Sequence, residues 1–183
     1  MFFFLYIMRV AVIFLFYFSI SYSQEMEVIH SVTQKLTRVK HGSMNMPQNT
    51  ISSHVKEYNQ RIDENECDWQ AYLMRAKANK SLFNFRASIE DTKVLIKHNQ
   101  ELKIAYWIQG ESYVNLSEYE NAIQAYKKAL KYYDAPYTIA RINFFIGMCF
   151  MQINREEDAC VYFEKMGHYR FHDSFKAAAK YCQ

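Results

Sequence analysis

A His-x-x-x-His pair and four cysteines are the residues of this chain best suited to chemistry. His168 and His172 lie four apart with Asp173 beside them, a spacing that sets two imidazoles on one helix face as metal ligands. They flank the aromatic run Tyr169-Arg170-Phe171 and no third ligand is signposted, so a surface or inter-helix role competes with metal binding. Cys67, Cys149, Cys160 and Cys182 contain no Cys-x-x-Cys, which leaves redox catalysis without support. Cys149 and Cys160 fall on two segments expected to form one hairpin and are the first disulfide pairing to consider, although spacing alone does not supply the Cα separation a disulfide needs. The chain has no phosphate-cradling Gly loop, no Gly-x-Ser-x-Gly elbow and no His-Glu-x-x-His helix. Glu118, Glu120 and Glu156 stand where helices should start, and the helix dipole accounts for them without catalysis. The expectation is a protein that is not an enzyme, with no cofactor and no metal. Asn79-Lys80-Ser81 and Asn115-Leu116-Ser117 fit the glycosylation acceptor pattern, which matters only in a eukaryotic secretory pathway.

Composition narrows the elements that must carry these residues. The 183 residues include 4 Gly and 2 Pro against 15 Tyr and 14 Phe, too few turn formers for a sandwich or barrel, so the chain reads as all-α. The formal charge of +3 is spread among interleaved acids and bases, with no continuous basic stripe, and nucleic acid is not expected as a partner.

Residues 1–23 differ in kind from the rest. Met1 to Ile20 carries one charge, Arg9, and Ser21-Tyr22-Ser23 puts small residues where signal peptidase reads, which predicts a secretory signal peptide cut before Gln24. A start at Met8 would restore the usual order of a basic residue, an apolar run and a cleavage site. The expected location is therefore periplasmic or secreted. The alternative is an uncleaved anchor, since Met1 to Tyr22 is just long enough to span a bilayer, and membrane contact is expected only in that case.

Residues 24–50 form a weakly patterned lead-in, with one short helix allowed over Glu25 to Val39. Ser52 is the expected N-cap of a helix ending near Asn65. A repeat then governs the chain: Tyr72/Tyr106, Ala76/Gly110, Leu82/Leu116, Phe85/Tyr119, Ser88/Ala122, Ile89/Ile123 and Lys93/Lys127 each lie 34 residues apart. Gly147, Phe150, Ala159 and Phe163 continue the series 37 residues on, three insertions at the Pro136 loop accounting for the difference. A fixed period of this kind predicts an α-solenoid of about three helix-turn-helix units within residues 51–183, each burying its apolar face on its neighbour. The units are placed at about 68–101, 102–135 and 139–170, with a capping helix over 174–182.

Tyr106, Gly110, Tyr113, Tyr119, Ala122, Tyr126 and Ala129 carry a family pattern of small and aromatic residues, and from about Cys67 to Gly167 the chain resembles a tetratricopeptide repeat protein. The outer units depart from it, with Asn79 in the slot of Tyr113 and Asn143 in that of Tyr106. The resemblance implies a concave groove lined by the first helices, here Leu73 and Lys77, then Trp107, Glu111 and Val114, then Arg141, Phe144, Met148 and Met151. It implies a non-enzymatic scaffold binding a peptide or protein segment there, the alternative being a membrane-tethered assembly factor for an envelope or organelle complex. The C-terminal helix or the lead-in could equally fold over these apolar slots. The Lys/Asn/Arg clamp that grips chaperone tails in some members is not matched, because Leu73 and Trp107 replace its polar grips.

Overall fold

The computed structural model describes residues 48–166 and Cys182. They form seven α-helices, α1 Gln48–Glu64, α2 Trp69–Ser81, α3 Phe85–Lys97, α4 Leu102–Asn115, α5 Tyr119–Ala129, α6 Pro136–Gln152 and α7 Glu156–Glu164, with a 3₁₀ turn Leu130–Tyr132 after α5. Each helix packs on the next, and α2/α3, α4/α5 and α6/α7 are the three antiparallel hairpins of an α-solenoid, with α1 stacked against α2. The described residues contain no strand, and none of their helices is long and apolar enough to cross a membrane. The signal-like segment, the lead-in, the His168/His172 pair and the expected cap at 174–181 lie outside them.

Local chemistry sets the boundaries. Asp68 caps α2 by accepting a hydrogen bond from the Ala71 amide at 2.9 Å, and this bond, followed by that from Arg61, holds its carboxyl below the usual value. Ser52 does not cap α1, which starts four residues earlier: the Ser53 hydroxyl bonds back to the Thr50 carbonyl at 2.7 Å, so the serines sit inside the helix. Pro136 occupies the first position of α6, where its missing N–H costs nothing.

The three hairpin turns share one conformation. Phe83, Ser117 and Asn154 stand in matching slots and have φ of 63°, 59° and 56°, the left-handed region that Asn tolerates and a bulky aromatic does not. Phe83 is also 56% exposed, with only an edge-on approach to Phe85. Replacing Phe83 with Asn, the residue of the third turn, is expected to stabilise the protein by about 0.5–1 kcal/mol. Thermal unfolding checks this, and a lowered Tm would show that the ring contributes more than the strained backbone costs.

The core follows the repeat. A Cβ placed on Gly110 would lie 2.6 Å from Tyr126, and one on Gly147 would lie 2.5 Å from Phe163, so each glycine is the space into which the aromatic of the paired helix is seated. In the first hairpin the same two slots hold Ala76 and Thr92, both fully buried, a larger residue facing a smaller one.

Candidate binding groove

Helices α2, α4 and α6 supply the lining that the repeat register assigns to a concave face. Leu73, Trp107 and Phe144 share one slot of their respective helices; Lys77, Glu111 and Met148 share the slot one turn on; Val114 and Met151 share a third with Lys80. The structure stacks these slots side by side, but it does not leave most of them facing solvent. Leu73, Trp107, Glu111, Val114, Phe144, Met148 and Met151 are all buried, and only Lys77 and Arg141 remain half-exposed.

Trp107 shows why. Its ring meets Tyr126, Tyr133 and Phe145 edge-on, with centroids 5.9, 6.2 and 5.7 Å away, and the Arg141 guanidinium lies 5.0 Å over it. It therefore wedges between α5 and α6 as packing. Phe144 is held in the same manner against Phe145 and Phe163. Every residue from Ile142 to Met151 is buried, so α6 is covered all round rather than along one stripe.

Charged groups enter the stack only with partners. Glu111 pairs with Lys80 of the preceding unit, an ion pair that bridges two hairpins. Burial pushes the Tyr126 and Tyr133 hydroxyls above their ordinary value; the nearby negative charge of Glu111 adds to the rise and Arg141 opposes it. The Tyr126 hydroxyl is buried without a hydrogen-bond partner, whereas Phe163, in the matching slot, carries no hydroxyl. Glu111, Tyr126, Tyr133 and Arg141 thus form one electrostatic neighbourhood. Tyr133 had no signal in the sequence, because it falls in the loop where the repeat loses register. Around these slots Gln70 and Asn115 are exposed, and Ile104 and Gln152 are half-buried.

Cys149 and Cys160 are not bonded to each other. Cys160 is bonded to Cys182, with Cα atoms 5.4 Å apart, and Cys149 is a buried free thiol, as Cys67 is an exposed one. The register explains the difference. Cys149 takes the slot of Ser112, whose hydroxyl donates to Ser88 on the hairpin before it at 3.4 Å, so this slot looks back along the stack. Burial, and next the charge of Glu120 on α5, push the Cys149 thiol upward, in keeping with a backward-facing position. Cys160 takes the slot of Ile123, which looks forward. The Asn79 acceptor pattern is buried, its amide donating to Asp91, while Asn115 donates to the Glu111 carbonyl at 2.8 Å. Among the described residues no group of three or more His, Cys, Asp or Glu is placed to hold a metal.

Residues 104–135 match the tetratricopeptide repeat model. The middle hairpin is similar to a tetratricopeptide repeat. A search of curated proteins returns no match. Among solved structures the chain is similar to MamA, with 19% identity over 70% of this chain and 82% of the other and a TM-score of 0.57. It is also similar to the RS-1 ArsTM double mutant of MamA, at 13% identity over 86% and 90% with a TM-score of 0.60. MamA from residue 41 to the end, from Desulfovibrio magneticus RS-1, gives 14% identity over 86% and 90% with a TM-score of 0.59. At such identities the likeness is one of fold, the tetratricopeptide α-solenoid.

Proposed function

We propose that this protein is an exported, non-enzymatic scaffold that binds a segment of a partner protein along the concave face of α2, α4 and α6. The observation that carries the reading is the alignment of first-helix slots over three stacked hairpins, the first two tied by the Lys80–Glu111 pair, which gives the ladder an extended segment requires. The apolar slots are filled by the protein's own packing, so recognition falls to the half-exposed cations Lys77 and Arg141, and the segment they suit carries acidic side chains. The protein partner itself has no name from these features, and no cofactor enters the proposal.

The Lys77→Glu/Arg141→Gln double variant is expected to retain its circular dichroism spectrum, with a Tm lowered by the lost Arg141–Trp107 contact, while recovering about tenfold less partner in affinity capture. Unchanged capture by the folded variant would remove the groove as the binding site. Export rests on Met1–Ser23 and is tested by mass spectrometry of the mature N-terminus, which should begin at Gln24. The same apolar length supports a second reading, a membrane-tethered assembly factor, for which an intact Met1 or Met8 would be found.

A further inference from the structure

Asn79-Lys80-Ser81 and Asn115-Leu116-Ser117 both fit the acceptor pattern for N-linked sugars, and the fold treats the two in opposite ways. Asn79 lies in the last turn of α2 and is 6% exposed. Its amide donates at 3.4 Å to the Asp91 carboxylate that Arg75 also grips. A branched oligosaccharide on that nitrogen would have to pass through packed helices, and such sugars belong on a surface. Asn115 is the last residue of α4 and is exposed, as is Ser117 in the left-handed turn that follows, with φ of 59°. One of the two hydrogens on the Asn115 amide is directed at the Glu111 carbonyl, nitrogen and oxygen being 2.8 Å apart; the other takes no part in that bond.

We infer that Asn115 is an acceptor for an N-linked oligosaccharide and that Asn79 carries none in the folded protein. The inference rests on the export proposed above. The Cys160–Cys182 bond points separately to the same route, because disulfides persist in oxidising compartments such as the lumen where a eukaryotic cell adds these sugars. The donor is an oligosaccharide carried on a lipid pyrophosphate. Nδ2 of Asn115 bonds to C1 of the first sugar as the bond from C1 to the pyrophosphate breaks. The lipid pyrophosphate leaves, and Nδ2 gives up one of its two protons. The proton that remains still serves the bond to the Glu111 carbonyl, so the end of α4 keeps its contact while the sugar stands in solvent at the turn of the middle hairpin. On Asn79 the same transfer would place the sugar against Asp91 and Arg75, and a chain modified there would not close the first hairpin.

The test expresses the full chain in a eukaryotic secretory cell and weighs the folded protein recovered from the medium. The native chain should carry a single oligosaccharide, and peptide-N-glycosidase, which leaves aspartate where a sugar was attached, should mark position 115 alone. Ser117→Ala should lose the sugar entirely. Ser81→Ala should keep it, since that change erases the other acceptor pattern while leaving the Asn79 amide on Asp91 and touching only the surface bond from Ser81 to the Lys77 carbonyl. If nothing reaches the medium, export by the chain's own N-terminus is what fails, and the same chain behind the signal sequence of a secreted protein then decides the acceptor question. Secreted protein without a sugar, or with one on Asn79, would overturn the inference.

Discussion

Gly110→Ala is expected to lower the unfolding free energy by about 2 kcal/mol, even though alanine is the better helix former. In an unconstrained helix interior the substitution gains about 1 kcal/mol. Here the new methyl would lie 2.6, 2.7 and 2.9 Å from three ring atoms of Tyr126. That ring has nowhere to go: it is fully buried, stacked on Phe145 at 5.6 Å and edge-on to Trp107 at 5.9 Å. Overpacking of this kind costs up to about 3 kcal/mol, so the clash outweighs the helix gain. The first hairpin shows how the conflict is relieved, since Ala76 there faces Thr92. Tyr126→Thr alone should cost about 3–5 kcal/mol through the cavity it leaves. Adding Gly110→Ala to that background should then raise stability, reversing the sign seen in the native protein. Urea unfolding of the four proteins in the cycle measures this, and a stabilising Gly110→Ala in the native background would show that the two helices are free to separate. Gly147→Ala should behave as Gly110→Ala does, because Phe163 fills the matching space at 2.5 Å.

The spacing of small and aromatic residues made the hairpins legible in the sequence, because helix pairs that approach closely need Gly110 facing Tyr126 and Gly147 facing Phe163. Turn chemistry was less visible: Phe83 occupies a left-handed position that Ser117 and Asn154 fill more naturally. The burial of the groove slots was not legible. Periodicity tells which way Trp107 and Phe144 point, but not how far the neighbouring helix reaches across them. Phe145 does the reaching, and its counterparts Ile108 and Met74 in the other units gave no warning of an aromatic there. The disulfide was not legible. Register matches Cys149 to Ser112 and Cys160 to Ile123, but the direction the Cys149 slot faces comes from the Ser112–Ser88 bond of the folded chain, and Cys182 lies beyond the repeat with no slot of its own.

Arg75→Met should cost about 3–5 kcal/mol near neutral pH and clearly less in mild acid. Arg75 grips Asp91 through Nε at 3.1 Å and Nη2 at 2.6 Å, and its Nη1 donates to Asn59 on α1 at 2.8 Å, so one guanidinium ties α1, α2 and α3 together. The Asp91 side chain is only 5% exposed, and its remaining partner is the Asn79 amide at 3.4 Å. Burial raises the Asp91 carboxyl above its ordinary value of 3.8; the bonds from Arg75 and Asn79 oppose that rise without cancelling it. The Arg75 shift is also upward, led by its bond to the carboxylate, so the two partners pull in opposite senses: the ion pair favours the charge on Arg75, while burial disfavours the charge on Asp91. Because the folded carboxyl holds its proton more tightly than the unfolded one, this group's contribution is most favourable below about pH 4 and declines as pH rises to the folded value. Removing Arg75 takes away the largest opposing influence, so the folded value climbs further and the declining window widens upward. The gap between native and variant should thus narrow at about pH 4.5 and be widest at about pH 7.5, both read by urea unfolding. An equal gap at the two pH values would mean that the loss comes from the Asn59 and Tyr72 contacts of Arg75 rather than from a buried carboxylate left without its cation.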